Sequence, residues 1–160
     1  MKKIAVFADV QNIYYTTRQA FGRSFDYRRL WRILAGQGDV VYAVAYATER
    51  GDAQQHKFQK ALRHIGFEVK TKPYIQRSDG SAKGDWDVGI AIDVMENASQ
   101  VDRVVLLSGD GDFDLLLERI RCKYQVATEV YAVEALAARS LINACDRFHP
   151  IDGELLLSKS

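Results

Sequence analysis

The sequence predicts an α/β domain built on a parallel sheet, with helices covering both of its faces. Three observations carry that expectation. Short β-branched and apolar runs alternate with stretches of helical periodicity along the chain, as in successive βα units. The runs Ile4-Ala5-Val6-Phe7-Ala8 and Val104-Val105-Leu106-Leu107 are apolar throughout, as strands buried on both faces are. The second run passes through Ser108-Gly109-Asp110-Gly111-Asp112-Phe113-Asp114 into Leu115-Leu116-Leu117, which reads as strand, tight glycine turn and helix start.

In chain order, residues 3–9 form the first strand, and helical patterns follow over Asn12–Ala20 and Tyr27–Ala35. Val40–Thr48 is β-branched and aromatic and reads as a strand. Asp52–Ile65 is helical, with Phe58, Leu62 and Ile65 spaced by four and three residues and Gly66 as the stop. Phe67–Tyr74 is the next strand, and Gln76–Gly84 is a polar, glycine-bearing loop. A helix over Asp85–Ala98 is expected to bury Val88, Ala91, Ile92 and Met95. Strand Arg103–Leu107, helix Phe113–Cys122, strand Val126–Val133 and helix Leu136–Cys145 complete the series. Residues 1–150 thus make one domain, and 151–160 a short tail whose Leu155-Leu156-Leu157 would add an edge strand or dock on a neighbour.

A length of 160 residues with 48% hydrophobic content suits a single core. The net charge of +1 exerts no long-range pull on polyanions, so nucleic-acid binding would depend on local basic patches. Cys122 and Cys145 lack metal spacing and are too few for a disulfide framework. They read as buried or idle thiols in a reducing cytoplasm. Met1-Lys2-Lys3 and the apolar run after it resemble a leader, but Asp9 ends the run too soon. No stretch is long enough to span a membrane. The expectation is a cytoplasmic protein without a membrane partner.

In an open α/β sheet, ligands bind beyond the carboxyl ends of the strands. Two such ends here are acidic: Asp9, followed by Val10-Gln11-Asn12, and the Asp110/Asp112/Asp114 turn. A third acidic cluster, Lys83-Gly84-Asp85-Trp86-Asp87-Val88, opens a helix. Carboxylates crowded together repel, and a divalent cation relieves that repulsion. Asp9, Asp87, Asp110 and Asp112 are therefore the candidate catalytic and metal-binding set. Their hard oxygen donors suit Mg²⁺ or Mn²⁺, which would polarise a phosphoryl oxygen and activate water. Asn12, Ser108, Asp85, Asp93 and Asp114 are candidates to support that set. Helix starts also favour aspartate for capping alone, a reading open for Asp112 and Asp114 and for Asp85 as an N-cap. Lys83, Arg77 and Lys72 around the polar loop would meet a nucleic-acid backbone, and Tyr14 could stack on a base.

Other motifs fail. Asp110-Gly111-Asp112-Phe113-Asp114 starts like a calcium loop, but Leu115 and Arg121 occupy its sixth and twelfth positions. There is no Walker lysine loop and no Gly-x-Gly-x-x-Gly after the first strand. Gln11 stands where a phosphoaspartyl hydrolase would place a second aspartate. His56, His64 and His149 have no ligand spacing.

Taken in order, Ala8-Asp9-Val10-Gln11-Asn12, Lys83-Gly84-Asp85-Trp86-Asp87-Val88-Gly89-Ile90-Ala91-Ile92-Asp93 and Ser108-Gly109-Asp110-Gly111-Asp112-Phe113 resemble the NYN domain family, LabA-like branch, within the PIN-like ribonuclease superfamily. The resemblance covers about Lys3 to Val133. It implies a three-layer α/β/α sandwich with a mainly parallel sheet, and Mg²⁺- or Mn²⁺-dependent cleavage of RNA by the Asp9, Asp87, Asp110 and Asp112 set. It also lends weight to Asn12 and Asp93. One departure stands out: Asp85 and Trp86 separate Gly84 from Asp87 where related sequences often have one residue, so Asp85 could share the role of Asp87. The function expected is that of a metal-dependent ribonuclease. The alternatives are an RNA- or protein-binding regulatory module that keeps the acidic pocket with little turnover, and a phosphatase on a small substrate. RNA is the expected partner, and self-association is compatible with the absence of an RNA-binding appendage.

Overall fold

The computed structural model describes residues 1–49, 51–73, 75–76, 82–83 and 85–158. Six strands form one sheet: β1 (Lys3–Asp9), β2 (Asp39–Glu49), β3 (Glu68–Pro73), β6 (Arg103–Leu107), β7 (Ala127–Ala132) and β8 (Arg147–Pro150). Their order is β3-β2-β1-β6-β7-β8, and every neighbouring pair is parallel. The chain first winds outward from β1 to β3, then crosses back and winds outward the other way. The change of direction falls between β1 and β6, where an open α/β sheet leaves a crevice at its carboxyl ends.

Parallel strands covered on both faces sort successive side chains into two cores. Ile4, Val6 and Ala8 of β1, with Val105 and Leu107 of β6, join one core. It also takes in Ile13 of α1 (Val10–Phe21), Leu30 and Leu34 of α2 (Tyr27–Ala35) and Leu62 of α3 (Ala53–Ile65). Ala5 and Phe7, with Val104 and Leu106, join the other. There they meet Ile90 and Val94 of α4 (Asp87–Asn97), Leu117 and Ile120 of α5 (Asp114–Tyr124) and Leu141 of α6 (Arg139–Ala144). The result is the three-layer α/β/α sandwich, with a central sheet that is wholly parallel.

Four features differ from the sequence expectation. First, α4 buries Ile90 and Val94, followed by Ala98 in the 3-10 turn after it, while Val88 is 73% and Ile92 52% exposed. The helix is apolar on nearly every side, so periodicity alone allows either stripe. Second, short strands β4 (Ile75–Gln76) and β5 (Ala82–Lys83) pair antiparallel within the segment read as a loop; residues 77–81 and Gly84 lie outside the described residues. Third, β8 is an extra strand. Arg147-Phe148-His149-Pro150 carries no β-branched residue, but an edge strand needs only one ladder and tolerates a terminal proline. Fourth, the tail packs on its own chain. Ile151, Leu155 and Leu156 are buried in the first core, Leu156 bridges to Phe25, and the Arg23 side chain donates to the carbonyls of Leu156 and Leu157. Cys122 is exposed and Cys145 half-buried, both as free thiols. Among the described residues, no helix is long and apolar enough to cross a membrane.

Candidate metal centre

Asp9 ends β1 and caps α1, so one residue serves the strand, the helix and the crevice. It is 8% exposed. One carboxylate oxygen, Oδ1, faces the Asn12 amide at 3.5 Å, and Oδ2 accepts from the Ser108 hydroxyl at 3.0 Å. Capping thus gives Asp9 a structural use that its strand-end position did not suggest. At the end of β6, buried Ser108 also accepts from the Asp110 amide at 3.2 Å. The Asn12 side-chain oxygen accepts from the Gly109 amide at 2.9 Å. Ser108 and Asn12 therefore tie the β1 end to the turn after β6.

That turn is held from outside as well. The Ala138 amide donates to the Gly109 carbonyl at 3.0 Å. A Cβ on Gly109 would stand 3.2 Å from the Ala137 Cα, and one on Gly111 would stand 2.8 Å from the Ala138 Cβ. Only glycine lets the backbone approach this closely. Asp110 then caps the 3-10 turn Gly111–Phe113 by accepting from the Asp112 amide at 2.9 Å.

Asp87 comes from the other direction, as the first residue of α4. Its amide donates to Asp85 at 3.2 Å. On a helix of 3.6 residues per turn, Asp87 lies about 20° from Val94 around the axis, on the buried stripe. It consequently points toward the sheet. Oxygen atoms of Asp9, Asp87 and Asp110 all lie within 4.8 Å of one another.

The electrostatics record this crowding. Burial, opposed by the Ser108 and Asn12 hydrogen bonds, pushes the Asp9 carboxyl up to about 6, and the charges of Asp110 and Asp85 push the same way. Burial, a hydrogen bond shared with Asp110 and the charges of Asp110, Asp85 and Asp9 push Asp87 up to about 7. Carboxylates sharing a site cannot all ionise at ordinary cost, and the closeness of Asp110 raises that cost at Asp87.

The remaining candidates sit elsewhere. Asp112 is exposed and outside the trio. Asp114 begins α5 and accepts from the Leu115 amide. Asp93 is turned away from the trio: it accepts from the Tyr46 hydroxyl at 2.7 Å and from the Lys70 ammonium at 2.8 Å, joining α4 to β2 and β3. Tyr14 is 48% exposed, with the Arg18 guanidinium 5.5 Å from its ring centre. The Lys72 ammonium lies 4.6 Å from the Trp86 ring centre. Lys83 is described by its backbone in β5, and Arg77 lies outside the described residues. Sequence reasoning gave no role to Tyr46 or Trp86, and it placed Lys70 with the basic residues around the polar loop, whereas its ammonium pairs with Asp93. The only signal for Trp86 was its place between two aspartates.

The profile of the NYN domain matches residues 3–152, a span that holds every member of the trio. The chain belongs to the NYN domain family. Within this family it falls in the LabA-like branch. It is 33% identical over 154 residues to the low amplitude and bright protein LabA of Synechococcus elongatus, covering 91% of this chain and 82% of LabA. A crystal structure of a protein of unknown function from Vibrio parahaemolyticus is 52% identical. It superposes with a TM-score of 0.93 over 98% of this chain and 96% of that one. Ribokinase from Giardia lamblia is 11% identical and matches with a TM-score of 0.52 over 93% of this chain and 57% of its own. That likeness concerns the fold alone. This NYN domain is thus a PIN-like, nuclease-type α/β domain with an acidic trio able to accept a divalent metal.

Proposed function

We propose that this NYN domain is a metal-dependent ribonuclease that hydrolyses RNA phosphodiester bonds, with Asp9, Asp87 and Asp110 holding Mg²⁺ or Mn²⁺. The convergence of three carboxylates within 4.8 Å, at the reversal point of the sheet, carries this reading. The donor set fits such an ion: all three groups offer hard oxygens, and two of them resist ionisation when no cation offsets their neighbours. When bound, a divalent cation supplies polarisation of a phosphoryl oxygen and activation of water.

The chain's own residues do the rest. Ser108 and Asn12 orient the Asp9 carboxylate and the Asp110 turn, so the ligands are placed before a cation arrives. Asp112, two residues from Asp110 and outside the trio, is the carboxylate left free to take a proton from the attacking water. Lys72 forms no ion pair with a carboxylate among the described residues, which leaves its ammonium for the RNA backbone. Lys83 and Arg77 would extend that track, and exposed Tyr14 offers a face for a base.

Cleavage of single-stranded and structured RNA, assayed with Mg²⁺, Mn²⁺ and chelator, tests this reading. Turnover should need a divalent ion and vanish in folded Asp9→Asn and Asp110→Asn variants. Lys72→Ala should weaken RNA binding and lower the slope of log affinity against log salt by about 1. RNA that binds but is never cut, with either ion, would replace the nuclease with a binding module.

A further inference from the structure

We infer that Trp86 is a positioning residue for the acidic site: its indole fixes the start of α4, and so aims Asp87 at Asp9 and Asp110. The inference rests on the reading of that trio as a cation site.

Trp86 is the residue from which α4 grows, because its carbonyl accepts from the Ile90 amide at 2.7 Å. In α1, α2 and α3 the aspartate at the capping position itself caps the first turn; in α4 that position is Trp86, which makes no such bond, and the Asp87 amide donates to Asp85 one residue earlier. The Trp86 side chain instead reaches the sheet. Its Nε1 donates to the Ala47 carbonyl of β2 at 2.9 Å. The residue before Ala47 is Tyr46, the ladder partner of Asp9 across β1 and β2. The start of α4 is therefore tied to the strand position next to the one that pairs with Asp9.

The half-buried ring is packed as well as tethered. It packs 5.4 Å from the Tyr46 ring, and the Lys72 ammonium lies 4.6 Å from its centre. From α4 itself, Gly89 supplies the clearance: a Cβ there would stand 2.6 Å from the indole Cε3. Any wider residue at 89 must push the ring off its seat. Asp93 gives α4 a second tether to β2 and β3, through Tyr46 and Lys70. Asp93 anchors the body of the helix and Asp85 holds the Asp87 amide locally, while the indole ties the start of the helix to the sheet and so sets the angle at which Asp87 meets the crevice. Metal ligands depend on such supporting contacts, whose loss costs about ten- to hundredfold in affinity.

Two measurements on the full chain test this assignment. Mn²⁺ titration calorimetry of Trp86→Ala and Gly89→Ala, at a temperature where each variant is folded, should show dissociation constants raised about tenfold or more. Trp86→Phe, which keeps a ring but loses the N–H, should fall between these and the parent. A residue that only stabilises the fold would lower the melting temperature and leave the dissociation constant of the folded protein unchanged, and that result would overturn the inference. The second measurement needs no metal. Amide chemical shifts of Ser108 to Asp112, on the turn that carries Asp110, should move in metal-free Trp86→Ala and Gly89→Ala as Asp87 leaves Asp110. Should the parent bind no Mn²⁺, the cation reading fails and these shifts decide the positioning role alone: unmoved amides would dismiss it.

Discussion

Asp9 shows how one side chain is held between two demands. As a cap and a hydrogen-bond acceptor it favours ionisation, while its burial and its acidic neighbours oppose it, and burial wins. Its carboxyl titrates at about 6 in the folded chain and near the ordinary 3.8 when unfolded. Between those values the folded state holds more protons, so metal-free stability must fall as pH rises through that window. Asp87, raised to about 7, extends the same fall upward. Denaturant unfolding in chelator should therefore show the parent losing stability relative to Asp9→Asn between about pH 4 and pH 6, by an amount on the order of 2 kcal/mol, while the fall due to Asp87 is common to both proteins. Saturating Mn²⁺ should reverse the slope, because a cation favours the ionised carboxylates. Parallel pH profiles for the two proteins in chelator would mean that Asp9 ionises freely.

The helix α4 marks where sequence pattern stops deciding. Val88 and Ile92 form one apolar pair four residues apart, and Ile90 and Val94 form another. Only the second pair shares a face with Asp87. Which pair is buried depends on the approach of β1 and β6, and no local pattern carries that information. The expected outcome is a sharp contrast: Ile90→Ala should cost about 2–5 kcal/mol in chemical denaturation, whereas Val88→Ala should stay within about 0.5 kcal/mol. By comparison, β1, β6 and the acidic glycine turn could be read directly, because an unbroken apolar run ending in a turn is a local signal. The strand β8 could not, since one ladder on a sheet edge asks little of its residues. Sequence left a capping role open for Asp112 and not for Asp110; the 3-10 turn reverses this, using Asp110 as the cap and leaving Asp112 in solvent. The supporting contacts were hidden for a similar reason: Trp86, Tyr46 and Lys70 meet only once three separate elements are packed.

At the level of the whole molecule, the sheet brings together carboxylates from positions 9, 87 and 110, each delivered by a different stretch of chain. Because every strand of the main sheet is parallel, each neighbour must be reached by a crossover, and the contacts that build the crevice are long-range. The order of events in time follows from this. Forming such contacts is slow, and a site that needs the β1 end, the start of α4 and the turn after β6 cannot exist until both sides of the sheet have joined. A cation therefore has nothing to hold while the chain is still assembling. Stopped-flow denaturant kinetics should show Mn²⁺ leaving the folding rate nearly unchanged and slowing unfolding, with the full equilibrium gain appearing on the unfolding limb. Accelerated folding would instead mean that two of the three carboxylates already meet in the transition state. With the expected result, the ion acts as a latch that closes only on the finished fold and lengthens the lifetime of a domain it did nothing to build.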